Sequence, residues 1–121
     1  MERVTGVGGV FFKARDPEAL RSWYRERLGI PLDPGGGWFT FHWGESGTTT
    51  FCVFDAQTDY LGDGAFMVNF RVEDLDAVLS ALRTEGVSVN ERVEETEQGR
   101  FGWAVDPEGN RIELWQPAPG Q

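Results

Sequence analysis

The stretch FMVNFRVEDLDAVLSALRTEGV, from Phe66 to Val87, decides the fold because it reads as a strand that leads into a capped helix. Side chains alternate between the two faces of a strand. One face is wholly apolar and consists of Val68, Phe70 and Val72. The other is mixed and consists of Met67, Asn69 and Arg71. Asp74 is a typical helix N-cap and Gly86 a typical helix end. A helix covers one sheet face, so the mixed face is predicted to meet water or a ligand.

An earlier stretch has the same layout. VFFKARDPEALRSWYRERLGI, from Val10 to Ile30, also joins a strand to a helix, with Asp16 as the predicted N-cap and Gly29 as the predicted C-terminal residue. The repetition predicts a fold built of two similar halves.

The rest of the chain supplies further strands in both halves. Apolar and β-branched runs separated by turn residues predict them, and the predicted strands are Val4 to Ala14, Trp38 to Trp43, Thr48 to Phe54, Ser88 to Val93, Arg100 to Val105 and Arg111 to Trp115. Each half then reads as a strand, a helix and a meander of further strands, and we predict that each is a βαβββ module. We therefore predict an α+β fold and one domain, 1–121, made of modules 1–56 and 65–121. In the last strand, Ile112 and Leu114 should lie under a helix and Glu113 on the other face.

Composition narrows the classes of partner. The formal net charge of −9 argues against nucleic-acid binding, which needs clustered basic residues. The charge favours either plain solubility or attraction of a cationic ligand. No apolar run is long enough to span a membrane, and the single Cys52 fits a reducing compartment. We therefore expect a cytoplasmic protein.

Several motifs carry a resemblance to a known group of proteins. They are DPEAL from Asp16, FRVEDLD from Phe70 and DPEGNRIEL from Asp106. With them the chain resembles the vicinal oxygen chelate superfamily, which includes glyoxalase I, bleomycin-resistance proteins and extradiol dioxygenases. The resemblance implies a mixed sheet with a concave cleft and a homodimer that builds its clefts from both chains.

The resemblance also implies where metal ligands should stand. The family positions match Gly9, Met67, a residue between Ser46 and Phe54, and Glu113. Only Glu113 offers a hard ligand, because glycine has no side chain and methionine has a soft thioether. We therefore expect no metal and no other cofactor.

Three functions stay open at this point. The first is a glyoxalase- or bleomycin-resistance-like protein that binds a small hydrophobic or cationic molecule in a degenerate, metal-free cleft. The second is a glyoxalase- or dioxygenase-like enzyme, a lyase or oxidoreductase, acting either through Glu113 as acid or base or through metal ligands elsewhere in the chain. The third is a structural or regulatory subunit with an empty cleft.

The candidate site is the predicted inner face. Glu113 is the candidate catalytic residue, and its alternative is a relic carboxylate paired with Arg71 or Arg111. The alternative for His42 and the tryptophans is that they are packed structural residues. The candidate ligand-binding residues are Gly9, Phe11, Trp38, His42, Met67, Asn69, Arg71, Arg100, Trp103 and Trp115.

Overall fold

The computed structural model describes residues 16–33 and 57–121, together with residues 10, 14, 37 and 39. The elements in this part are α1 (Pro17–Leu28), β1 (Val68–Arg71), α2 (Leu75–Thr84), β2 (Ser88–Val89), β3 (Glu94–Thr96), β4 (Gly99–Val105) and β5 (Arg111–Pro117). The strands predicted at Trp38 to Trp43 and Thr48 to Phe54, and nearly all of Val4 to Ala14, lie outside the described residues. No helix in the described ranges has the length and apolar character that crossing a membrane requires.

Helix α1 begins and ends where its sequence predicts. The Asp16 carboxylate accepts a hydrogen bond from the Ala19 amide at 3.1 Å, which satisfies one of the unpaired N–H groups of the first turn. Gly29 adopts a left-handed conformation with φ of 66°. The Ile30 amide then donates to the Tyr24 carbonyl at 3.3 Å, so the chain folds back onto the helix.

Helix α2 uses the same devices. The Asp74 carboxylate accepts from the Ala77 amide at 3.1 Å. At the other end Gly86 has φ of 81°, and the Val87 amide donates to the Leu82 carbonyl at 3.0 Å. These contacts confirm the predicted cap and the predicted glycine end.

The strands form one mixed sheet in the order β1-β5-β4-β2, and β3 also pairs with β4. Strands β1 and β5 are parallel, with Val68 opposite Ile112 and Phe70 opposite Leu114. The other pairings are antiparallel. The predicted α+β class is confirmed in this part of the chain.

The predicted bounds of one strand are wrong. We expected a single strand from Ser88 to Val93, but β2 ends at Val89 and β3 begins at Glu94. The cause is local: the Asn90 side chain accepts from the Arg92 amide at 2.9 Å and turns the chain out of the extended conformation.

The core lies between α2 and the sheet. Its largest fully buried residues are Leu75, Leu79, Leu82, Ile112 and Leu114, each at most 1% exposed. Burying each such side chain contributes roughly 1.5–3 kcal/mol. The placement of Ile112 and Leu114 under a helix is therefore confirmed, and it fixes the face on which Glu113 lies.

Helix α1 joins this same core and is tied to the turn between β4 and β5. Its residues Leu20 and Tyr24 are buried in the core. The Tyr24 hydroxyl donates to the Asp106 carboxylate at 2.8 Å. Asp106 is itself 4% exposed and accepts the amides of Glu108 and Asn110, each at 2.9 Å. One buried carboxylate thus shapes the turn and holds a helix from the other half of the chain.

Candidate functional site

The sheet face turned away from α2 carries the candidate site, and we call it the inner face. Strand register brings three polar or aromatic side chains side by side across it. Asn69 on β1 stands opposite Glu113 on β5, and Glu113 stands opposite Trp103 on β4. The alternation of side chains along each strand thus collects residues that are far apart in the sequence.

Glu113 is the centre of a hydrogen-bonded group. It is 6% exposed, and its carboxylate accepts from Asn69 Nδ2 at 2.8 Å, from Trp103 Nε1 at 2.9 Å and from the Tyr60 hydroxyl. We call these four residues the Glu113 cluster. A buried carboxylate is costly unless it is hydrogen-bonded, and these donors meet that need.

Tyr60 is the member that the sequence did not predict. It lies in the polar link between the halves, where it is the one aromatic residue among positions 55–64. Its ring meets Trp103 edge to face, with centroids 5.8 Å apart. Burial, with the hydrogen bond to Glu113, raises the pKa of the Tyr60 hydroxyl. The phenol therefore stays protonated and keeps donating.

The two inner-face arginines do not pair with Glu113. The Arg111 guanidinium lies 5.3 Å above the centroid of Trp103, and that of Arg71 lies 4.9 Å above Trp115. The partners of Glu113 are uncharged. The alternative in which Glu113 forms an ion pair with one of these arginines is therefore wrong.

Arg111 is one of two arginines in the described ranges with a buried guanidinium nitrogen that has no hydrogen-bond partner, and Arg25 is the other. The Nε atom of Arg111 is buried and has no hydrogen-bond partner in the part of the chain that the structure describes. No described carboxylate lies within 4.0 Å of its guanidinium. The contact with the Trp103 ring offsets only part of the lost hydration.

A cavity opens beside the Glu113 cluster. Its volume is about 240 Å³, and it is lined by Asp59, Tyr60, Asn90, Arg92, Trp103 and Arg111. It is smaller than the roughly 300–1,000 Å³ of a site for a drug-sized ligand. The described part of this cavity therefore suits a small molecule or one end of a larger one.

Trp115 lies on the predicted face, but its ring is covered. It is 4% exposed and stacks on Phe101, with centroids 5.9 Å apart. Its indole N–H donates to the Gln98 carbonyl at 2.9 Å. Trp103 is 2% exposed and lines the cavity.

Arg100 does not belong to the inner face, which corrects its place among the candidate ligand-binding residues. Alternation along β4 puts it on the side of α2. There its guanidinium forms two hydrogen bonds to Asp76, at 2.9 and 3.0 Å, and one to Glu95 at 3.2 Å. The bonds from Arg100 hold the pKa of the Asp76 carboxyl below its usual value.

Gly102, two residues after Arg100 on β4, lies on the same side of the sheet as α2. A Cβ atom here would lie 3.0 Å from Leu79 Cδ1. The missing side chain therefore admits α2, not a ligand.

The other candidates stand as follows. Met67 is partly buried directly before β1. Gly9, Phe11, Trp38 and His42 lie outside the described residues. Among the residues that are described, no three His, Cys, Asp or Glu side chains come together to hold a metal ion. Because Glu113 faces three hydrogen-bond donors, the described residues do not fit a divalent cation at this position.

Comparison with known proteins shows the family to which the chain belongs. A family model described as a glyoxalase-like domain matches residues 9–115. No curated protein gives a significant match.

Solved structures resemble the chain over most of its length. An antibiotic-binding protein, TnmS3 from Streptomyces sp. CB03234, has 27% identity and a TM-score of 0.64, with 98% of this chain and 100% of that chain covered. A glyoxylase/bleomycin resistance protein/dioxygenase domain from Frankia sp. EAN1pec has 18% identity and a TM-score of 0.61, with 98% and 96% covered. The trypanothione-dependent glyoxalase I of Leishmania major has 19% identity and a TM-score of 0.51, with 84% and 78% covered. Below 25% identity the likeness concerns the fold alone.

The motifs, the mixed sheet with its helix-covered and inner faces, and the match of the family model agree with one another. The chain therefore belongs to the glyoxalase-like domain family of the vicinal oxygen chelate superfamily.

Proposed function

We propose that this protein binds a small molecule in a metal-free cleft on its inner face. The observation that carries the proposal is the Glu113 cluster. Glu113 is the one family ligand position that holds a hard ligand here, and its carboxylate accepts hydrogen bonds from Tyr60, Asn69 and Trp103. The likeness to an antibiotic-binding protein at 27% identity supports the same class of function.

The hydrogen-bond donors of the Glu113 cluster disfavour a metal ion at the carboxylate. A cation at Glu113 Oε2 would have to displace the O–H and N–H groups whose positive ends point at that oxygen. Trp103 is 2% exposed, so its indole N–H would be left buried without a partner. Such an orphaned donor costs about 1–3 kcal/mol. Arg111, above the same indole, adds a positive charge nearby.

Metal content tests this part of the proposal. Protein without an affinity tag is soaked in nickel, zinc, manganese or iron(II), dialysed, and analysed by mass spectrometry. We expect less than about a tenth of an equivalent per chain, since one carboxylate does not make a metal site. Glu113→Gln is the matched control: near one equivalent that disappears in this variant would refute the metal-free cleft.

Ligand binding itself is tested by tryptophan fluorescence. A library of aromatic antibiotics and smaller heterocycles is screened, and each hit is repeated with Trp103→Phe and Trp23→Phe. Trp23 is partly buried on α1 and packs against the core. We expect a ligand to change the emission of the wild type and of Trp23→Phe, and to change that of Trp103→Phe much less. Equal responses in both variants would place the ligand elsewhere.

An enzyme that needs no metal is the second candidate. The observation in its favour is the pair formed by Glu113 and the Tyr60 hydroxyl, a buried carboxylate beside a phenol whose pKa is raised. Such a pair can hold or move a proton. For any substrate found, Glu113→Gln should abolish turnover with little loss of ligand affinity. Unchanged turnover would rule this role out.

We propose that the protein forms a homodimer in which residues of both chains complete each cleft. We also propose that it is located in the cytoplasm. Light scattering of the purified protein gives the mass in solution. A mass of one chain at micromolar concentration, with ligand binding intact, would refute the shared cleft.

A further inference from the structure

We infer that the cavity beside the Glu113 cluster binds the carboxylate of a small organic anion, with Arg111 as the residue that recognises it. The inference rests on the proposed binding function and adds the chemical class of the ligand. It differs from the cationic ligand that was one of the two interpretations of the net charge of −9.

The guanidinium of Arg111 is short of acceptors among the described residues. Its Nε is buried and unpartnered among the described residues, and the group has no described carboxylate within ion-pair distance. A guanidinium is a planar fork of N–H donors that matches a carboxylate, and two parallel hydrogen bonds between them are common. Because Nε is closed to solvent, a ligand carboxylate in the cavity would accept from the terminal N–H groups of the guanidinium.

Stacking holds the guanidinium in place for this task. The group lies 5.3 Å above the Trp103 ring centroid, and the indole is itself fixed by its hydrogen bond to Glu113 at 2.9 Å. A donor held against a fixed ring loses less side-chain entropy on binding than one that is mobile in solvent.

The other charges that line the cavity favour an anion by a small margin. Arg92 and Arg111 are positive and Asp59 is negative. Arg92 is 71% exposed and pairs with Glu94 at 3.1 Å, so Arg111 carries most of the effect. Asp59 opposes binding of an anion, and it therefore offers an informative substitution.

Asn90 adds a neutral donor at the same cavity. Its Oδ1 already accepts the Arg92 amide at 2.9 Å, which leaves its Nδ2 group to donate. An anion in the cavity would thus meet a guanidinium and an amide, a pairing suited to a carboxylate.

The test uses three probes of one shape and different charge: benzoate, benzamide and benzylamine. A single ring is within the size of a cavity of about 240 Å³. Dissociation constants come from ligand-observed nuclear magnetic resonance up to millimolar concentration. The variants are Arg111→Met, Arg111→Lys and Asp59→Asn. Arg27→Met, on α1 beside Glu26 and Glu85, is the control for net charge.

We expect benzoate to bind at least tenfold more tightly than benzamide, and benzylamine to bind least. Arg111→Met should weaken benzoate about tenfold and leave benzamide unchanged, since a charge-assisted pair is lost. Arg111→Lys should retain part of the affinity, Asp59→Asn should increase it, and Arg27→Met should leave it unchanged.

Other outcomes overturn the inference. If benzylamine binds most tightly, or all three bind equally, the anion preference is wrong while small-molecule binding stands. If none binds, the inference is wrong, and a negative fluorescence screen in addition would overturn the proposed function as well. Thermal melting of each variant separates loss of binding from loss of folding.

Discussion

Replacing Glu113 tests whether the carboxylate stabilises the fold, and the structure gives the size of the effect. In Glu113→Leu three donors lose their acceptor. Asn69 is exposed and Tyr60 is partly exposed, so both can turn to water. Trp103 is 2% exposed and cannot. We therefore expect the free energy of unfolding to fall by about 2 kcal/mol, the cost of one buried orphaned donor.

The conservative variant should behave differently. In Glu113→Gln the amide oxygen can take the position that accepts from both Tyr60 and Trp103, and a flip of the Asn69 amide satisfies the remaining group. Only the difference between a charged and a neutral acceptor is lost. We expect a decrease of about 0.5–1 kcal/mol in the free energy of unfolding.

Urea unfolding followed by circular dichroism measures both values, and a loss of 2 kcal/mol should lower the Tm by about 8 °C in a chain of this length. The double variant Glu113→Leu with Trp103→Phe removes donor and acceptor together. Its destabilisation should be at least about 1 kcal/mol smaller than the sum of the single variants. A Glu113→Leu protein as stable as the wild type would refute a stabilising role for the carboxylate. Glu113 would then be a residue that serves function alone.

Three further substitutions test the fold. Gly102→Ala would place a Cβ 3.0 Å from Leu79 and should destabilise the protein by about 1–3 kcal/mol, whereas an unchanged Tm would contradict the close approach of α2. Burial and the hydrogen bond to Asp106 raise the pKa of the Tyr24 hydroxyl. Above about pH 10 the unfolded chain loses this proton while the folded state keeps it, so the free energy of unfolding should fall. Tyr24→Phe should reduce that fall in a series of urea titrations, and an identical pH profile would count against it. Asp16→Ala removes a helix cap and should cost about 1 kcal/mol in the same assay, while no change would mean that the cap contributes nothing.

The sequence predicted well those features that depend on short-range patterns. Asp16 and Asp74 cap their helices and Gly86 ends the second one, because each acts on backbone groups within a few residues. The burial of Ile112 and the inner-face position of Glu113 followed from alternation along one strand. These features could be predicted because they need no knowledge of the rest of the fold.

The site was harder because it depends on contacts between distant segments. Tyr60 reaches Glu113 from a link that reads only as polar turns, 53 residues away. Arg100 was placed wrongly although alternation already contained the answer, since it stands an odd number of residues from Trp103 and must lie on the opposite face. Arg111 was considered only as a partner for Glu113. Its position above an indole depends on the pairing of β4 with β5.

The hydrogen bond between Tyr24 and Asp106 has a consequence for the route by which the chain folds. The two residues are 82 positions apart, so a very long loop must close before the contact forms. Because the entropy of loop closure must be overcome before the contact stabilises the chain, we expect the contact to form after the rate-limiting step. Removing the Tyr24 hydroxyl should then speed unfolding and leave the refolding rate almost unchanged. The lifetime of the folded chain, rather than its speed of assembly, is what this buried contact controls.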